Sequence, residues 1–446
     1  VWTTENILSL APDERTKQQA QALASPGYWL GMAQNELGLW AECKSSGLSS
    51  YRVLVLWKGP ILRCSCPRPQ PCKHSLALLL FHQEQPELWL NTSAPPPAWA
   101  QEWIEARLKA AGESKPNSSV STPKSEEEKQ KRQEKRWESY QQGLVLFGQQ
   151  LRGLAERGLQ ELYGSDWWQQ AAARLGDAKL SRLAGELRLL GEEFAGDQEL
   201  ERSAYALGQW YLLLQAFEQR QTLSADLSEE LLNLLGRTLR KNDLWETQPH
   251  RFDQWMVLGI KEEVLEGNPP RHSRSIWIQG RSSQSWGLIL DFSVGFQAQY
   301  DYQYPVGTIL QGATVAYPGL SWRVLLSPEA QLLDESLVPS FSPQAIGQAS
   351  WADFVLSYAQ ALAQNPWHEE HPLVLSQVLV LEAEGQAQLL DPQGHLIPLK
   401  LALGGALWWK LLALSGGQEM ALFGLWNGQH FEALSWWTGQ RWKTLH

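Results

Sequence analysis

The sequence predicts an α+β multidomain chain. An N-terminal metal-binding module, a β-hairpin followed by a helix, precedes an all-helical centre and a mostly antiparallel β region with one inserted helix. Three observations predict this. Cysteine and histidine cluster between Cys64 and His74. Leucines recur at helical spacing between residues 137 and 265, and beyond residue 270 the apolar pattern shifts to period two. At 446 residues, 43% hydrophobic and 19% charged, the chain can bury two or three cores.

Ala11 to Ala20 reads as a helix with Pro12 near its start, ending around Ser25, Pro26 and Gly27. Tyr51 to Arg63, broken at Lys58, Gly59 and Pro60, reads as a β-hairpin. The stretch Cys64-Ser65-Cys66 follows, then three prolines in five residues, then Cys72-Lys73-His74. Structural zinc takes four thiolate or imidazole ligands in a tetrahedron, and Cys64, Cys66, Cys72 and His74 make a complete Cys3His set. On a strand, Cys64 and Cys66 would share one face. Cys72 is expected just before the helix that starts with Ser75-Leu76-Ala77, and His74 in its first turn. Pro67, Pro69 and Pro71 stiffen the intervening loop, so metal ordering costs little entropy. With four ligands no position stays open for catalysis, so one structural Zn2+ is expected. His82 lies two helical turns further on and is read as an ordinary surface or half-buried histidine.

The C-x-C-x5-C-x-H spacing after a hairpin and before an apolar helix resembles the SWIM zinc finger. The flanks Leu39 to Gly47, Tyr51 to Val53 and Pro71 to Leu80 resemble bacterial members. The close resemblance covers about residues 29–82, within an N-terminal domain of residues 1–111. It implies a protein or DNA ligand. The looser resemblance of the whole chain to bacterial proteins of this type implies partners among AAA-type ATPases and von Willebrand A-type proteins.

From Lys44 to Gln83 there is no acidic residue, and Lys44, Arg52, Lys58, Arg63, Arg68 and Lys73 are candidate contacts for a protein partner or nucleic acid. The formal net charge of −10 opposes nucleic-acid binding by the chain as a whole. The leading expectation is therefore a protein–protein adaptor, with DNA binding through the basic face of the finger as the alternative. Cys43, left over after the metal set, is expected buried and inert, in a cytoplasmic setting. Residues 1–20 show no signal-peptide pattern, and no apolar run approaches a membrane span.

Residues 112–136 read as a charged flexible linker whose second half forms an exposed helix. Residues 137–265 read as a helical domain, with stripes at Leu180, Leu183, Leu187 and Leu190, and at Ala204, Leu207, Tyr211 and Leu214. A third stripe, Leu231, Leu234, Leu235 and Leu239, follows a capping signal at Asp226. Residues 270–446 read as a barrel or sandwich. Its expected strands are Trp286 to Phe292, Phe296 to Tyr304, Thr308 to Ala316, Ser321 to Leu326, Leu373 to Leu381, and a hairpin from Leu422 to Trp437 turning at Asn427-Gly428 in type I′ form. Ser350 to Leu362 reads as the inserted helix, stopped by Asn365-Pro366.

Trp367 to His371 reads as a surface loop, since its histidines are three apart rather than the four of a zincin helix. Trp408-Trp409 and Trp436-Trp437 read as strand doublets with one ring on each face. There is no phosphate-binding glycine loop, nucleophile elbow or dinucleotide fingerprint, so no enzyme activity and no small-molecule substrate are expected.

Overall fold

The computed structural model describes residues 2–44, 50–58, 61–91, 95–112, 126–162, 166–193, 200–265, 269–300, 302–333, 341–347 and 350–445. Gly59 and Pro60 of the expected break and residues 113–125 of the expected linker lie outside these residues.

Two short helices open the chain, α1 (Thr4–Ser9) and α2 (Glu14–Leu23). Each is started by a side-chain cap: Thr3 Oγ1 accepts from Asn6 N–H at 3.2 Å, and Asp13 Oδ1 from Thr16 N–H at 2.6 Å. The Asp13 cap explains why α2 begins after Pro12 rather than at Ala11. A five-stranded sheet follows, formed by β1 (Trp29–Gln34), β2 (Gly38–Cys43), β3 (Tyr51–Leu56), β4 (Ile61–Cys64) and β5 (Leu90–Asn91), in the order β4-β3-β2-β1-β5. The expected hairpin is β3–β4, antiparallel from Val53↔Cys64 to Leu56↔Ile61.

The sheet is covered on both faces. α3 (Lys73–Glu84) buries Leu76 to Phe81 against Val53, Val55, Leu39 and Ile7. α4 (Ala98–Gly112) lays Trp99, Ala100, Trp103 and Ile104 on Trp40 and Leu54. Alternation along β3 assigns Val53 and Val55 to one side and Leu54 to the other.

The centre is a bundle of α5 (Glu126–Arg157), α6 (Trp167–Asp177), α7 (Ser181–Glu193), α8 (Leu200–Glu218) and α9 (Ala225–Leu234), followed by α10 (Lys241–Thr247). α5 takes up the second half of the expected linker, as its charge pattern predicted. The Leu180, Leu183, Leu187 and Leu190 stripe is buried as expected. On α8 the stripe differs: Leu207, Trp210, Leu214 and Phe217 face the core, whereas Tyr211 is 37% exposed. Ser224, not Asp226, caps α9, accepting from Leu227 N–H.

The helical reading of residues 250–265 is corrected. They form β6 (His250–Leu265), the middle of a sheet built with β7 (Arg271–Gly280), β8 (Trp286–Val294), β9 (Ile309–Ala316), β10 (Val324–Leu326) and β11 (Gln331–Leu332). Trp255 to Leu258 are buried on both faces of this central strand, which removes the alternation that marks a half-exposed one. A bulge between Val257 and Gly259 breaks what period remains.

Phe296 to Tyr304 is also corrected. Gly295 ends β8 at φ +146°, and the next residues fold over the sheet without joining it. Their polar groups find side-chain partners instead: Gln299 N–H donates to Ser293 Oγ at 2.9 Å, and Arg274 donates to the Tyr302 carbonyl at 2.7 Å.

After α11 (Pro343–Ile346) comes the inserted helix α12 (Trp351–Gln364), capped by Ser350. The second sheet has the order β14-β13-β12-β15-β16-β17, from β12 (His371–Ala383), β13 (Gln386–Leu390), β14 (Leu396–Pro398), β15 (Met420–Trp426), β16 (Phe431–Trp437) and β17 (Trp442–Thr444). Neither sheet closes into a barrel; they pack face to face. A Cβ on Gly259 of β6 would lie 2.5 Å from Phe423 of β15, and Trp286 stacks on Phe423 at 5.7 Å.

The β15–β16 turn is not type I′, which needs positive φ at both central residues. Only Gly428 has it, while Asn427 Oδ1 accepts from Gln429 and His430 N–H. Trp408-Trp409 lies in α13 (Ala406–Ser415) rather than a strand, with Trp408 buried and Trp409 61% exposed. Among the described residues no helix is long and apolar enough to cross a membrane.

The three regions are joined by specific contacts. Lys58 pairs with Glu329, and Glu5 with Arg441 and Lys443. Buried Glu230 of α9 accepts from Leu320 and Ser321 N–H at 3.0 and 3.1 Å. The Trp367 indole donates to the Gln209 carbonyl at 3.2 Å.

The 367–370 loop and His371, which opens β12 rather than belonging to the expected loop, are more buried than the sequence suggests. His371 is 7% exposed, ringed by Trp322, Phe354 and Tyr358, and its Nδ1 lies 3.0 Å from His368 Nε2. Burial first, and His368 second, lower the His371 pKa from 6.5 to about 4. The unfolded chain therefore binds this proton at a higher pH than the folded one. Stability is full above pH 6.5 and falls as the pH drops toward about 4, by on the order of 3 kcal/mol for this residue. His371→Gln should flatten that acid limb in thermal melts across this range; an unchanged slope places the acid sensitivity elsewhere.

Candidate metal centre

The four expected ligands converge. Cys64 is the last residue of β4, Cys72 is the N-cap of α3 and His74 lies in its first turn. Cys66 differs from expectation. The strand ends at Cys64, and Cys66 sits in the following turn, its N–H donating to Cys64 Sγ at 3.4 Å. The turn, not strand alternation, brings the two sulfurs together. All four donor atoms lie within 4.8 Å of one another, and His74 Nδ1 is 3.7 Å from Cys64 Sγ and 3.8 Å from Cys72 Sγ. Zinc–sulfur bonds of about 2.3 Å in a tetrahedron imply donor separations of roughly 3.7 Å. The donor set and its spacing fit one structural zinc ion.

The surroundings favour a closed site. Cys64, Cys66, Cys72 and His74 are 3 to 9% exposed. Thiol hydrogen bonds from Cys64 and Cys66 hold Cys72 far below the usual thiol range, and the Ser75 N–H at the start of α3 adds to this. Cys64, the donor to Cys66 and Cys72, is pushed up. Burial works against charge on His74, but Cys66 and Cys72 outweigh it and raise the imidazole to about 9. Zinc ligands bind deprotonated, so metal loading displaces these shared protons.

Two supporting residues escaped the sequence reading. Ser75 is fully buried; its Oγ accepts from Cys72 N–H at 3.0 Å and donates to the Cys72 carbonyl at 2.9 Å. The Cys72-x-x-Ser75 spacing is that of a capping box, a signal the sequence does carry. Tyr51 of β3 places its ring 4.8 Å from that of His74 of α3, a strand-to-helix contact with no sequence signature. Cys43 is buried with its thiol pushed up to about 11 by desolvation, and His82 bonds Gln34 between Trp57 and Trp89.

The six basic candidates do not share a face. Arg52 and Arg63 lie on the α4 side, over the rings of Trp99 at 5.9 Å and Trp103 at 4.8 Å. Lys58 is paired with Glu329, and Lys44 donates to the Gly27 carbonyl at 2.8 Å. Arg68 and Lys73 lie beside Cys72, on a cleft of about 840 Å3 that is also lined by Lys261, Lys400 and Glu432.

No curated protein and no solved structure matches the chain. Residues 53–83 match the SWIM zinc finger and residues 135–235 the SWIM-associated four-helix bundle domain, so the chain carries a SWIM zinc finger, with Cys64, Cys66, Cys72 and His74 as its metal set, ahead of a SWIM-associated helical bundle.

Proposed function

We propose that the chain is a protein–protein adaptor in which the zinc finger braces the N-terminal sheet and recognition takes place elsewhere. The observation that carries this reading is the far end of the first large sheet, where Phe292, Val294 and Phe296 are 63, 67 and 80% exposed. Exposed aromatic and aliphatic groups gathered at one end of a fold mark contact surfaces. The assemblies to which the sequence resemblance points, with AAA-type ATPases and von Willebrand A-type proteins, are the partners to try first.

DNA binding is the weaker reading. Affinity for phosphate needs several cations on one surface, and here Arg52 and Arg63 are turned away from Arg68 and Lys73, with Lys58 already paired.

Two measurements on the zinc-loaded chain separate the readings. A short random DNA duplex should bind without saturation at about 0.15 M salt. Purified candidate partners should form a complex that survives higher salt and persists when Arg68 and Lys73 are both changed to Gln. Saturable duplex binding that falls steeply with salt and is lost in that double variant overturns the adaptor reading.

A further inference from the structure

We infer that the outer edge of β8, from Leu290 to Val294, takes an extended segment of a protein partner as an added β-strand; this rests on the adaptor reading above and specifies its site. β8 ends the hydrogen-bonded path of its sheet; on its outer side it meets the β10 segment through one parallel bridge, Leu288↔Arg323, and its pairing with β7 runs unbroken from Arg271↔Val294 to Gln279↔Trp286. In such a ladder alternate residues direct both backbone groups to opposite sides. Gly295, odd-numbered, donates inward to the Pro270 carbonyl at 2.9 Å, whereas Leu288, even-numbered, donates outward to the Trp322 carbonyl at 2.7 Å. Leu290, Phe292 and Val294 continue the outward set. Beyond the Leu288↔Arg323 bridge, none of the three forms a β-bridge on that side among the described residues.

Folded proteins usually blunt such edges with charge, proline or a covering element. Here the side chains on one face are Phe292 and Val294, both exposed, with exposed Phe296 just beyond. On the other face Ser293 is buried, and Asp291 is held by Arg274 at 2.7 Å. The edge thus offers a row of backbone donors and acceptors, apolar contacts on one face and neutralised polar groups on the other. A strand with apolar residues at alternate positions satisfies all of these.

A second copy of the chain fits less well. The open stretch spans about 17 Å, far less than is needed to bury the roughly 1,200 Å2 of a stable interface. A single peptide strand needs no more than this stretch.

Linear peptides selected from a display library against the full-length, zinc-loaded protein provide the probe, with residue-resolved amide exchange as the readout. In the free protein the amides of Leu290, Phe292 and Val294 should exchange fast, while those of Asp291 and Ser293 are protected by β7. A bound peptide should slow the three outward amides at least tenfold. Phe292→Pro removes only an outward N–H and should weaken peptide binding at least tenfold; Phe292→Thr, which keeps the strand, should weaken it less and leave the protection pattern in place. Outward amides already protected in the free protein, protection that appears only as protein concentration rises, or peptides that bind without protecting them each overturn the strand-addition inference. If a purified partner still binds Phe292→Pro undiminished, this inference falls while the adaptor reading stands.

Discussion

Cys72→Ser should release the zinc and unfold the N-terminal sheet while the bundle and the sandwich stay folded. Three facts make this the largest single-residue effect to expect. Cys72 is at once a metal ligand and the N-cap of α3, and its backbone is clamped by Ser75. Every residue of α3 from His74 to Phe81 is buried, so the helix cannot detach without exposing most of the finger's core. In small zinc modules the ion contributes on the order of 10 kcal/mol to folding, more than a sheet of this size holds in reserve. Metal analysis should find about one zinc per chain in the wild type and none in Cys72→Ser. Limited proteolysis should then cut within residues 29–91 first. His74→Ala should behave alike, whereas Cys43→Ala, outside the ligand set, should keep its zinc. A Cys72→Ser protein that holds one equivalent of zinc and resists the protease would remove the metal centre from the argument.

The centre was legible in the sequence because its chemistry is local. Eleven residues, Cys64 to His74, carry all four ligands, and only a few metals accept three thiolates and an imidazole. The bundle was legible for a similar reason, since the Leu180 to Leu190 stripe reports its own buried face. What failed depended on distant neighbours. β6 hid because the middle of this central strand, Trp255 to Leu258, is covered by β7, β9 and the opposite sheet and has no solvent face to leave polar residues on. Phe296 to Tyr304 misled in the opposite sense. Its alternation is real, but the second set of contacts is with Arg274 and Ser293 rather than with a neighbouring strand. The basic stretch misled because charge counted along the chain carries no face: Arg63 and Arg68 are five residues apart and lie on opposite sides of the sheet.

Arg274→Met is expected to cost roughly 3 kcal/mol and to loosen the end of the sheet on which strand addition depends. Arg274 is 4% exposed and sits in β7, directly across from Asp291 of β8. Its guanidinium donates to Asp291 Oδ2 and to the Tyr302 carbonyl, both at 2.7 Å, and lies 4.0 Å from the centre of the Tyr300 ring. Removing the cation leaves a half-buried carboxylate without its partner and frees the segment that covers this face. Breaking one side of a buried pair costs about 3 to 5 kcal/mol. Among the described residues the Arg274 Nε has no acceptor, a cost that methionine removes, which puts the estimate at the low end. Denaturant unfolding measures the loss, and amide exchange at Asp291 and Ser293 should quicken with it. Adding Asp291→Leu should recover part of the stability, because the stranded charge goes with it. If Arg274→Met costs under about 1 kcal/mol, the pair behaves as an exposed one, and the stiffness of the β8 edge must come from the β6–β7–β8 ladder alone.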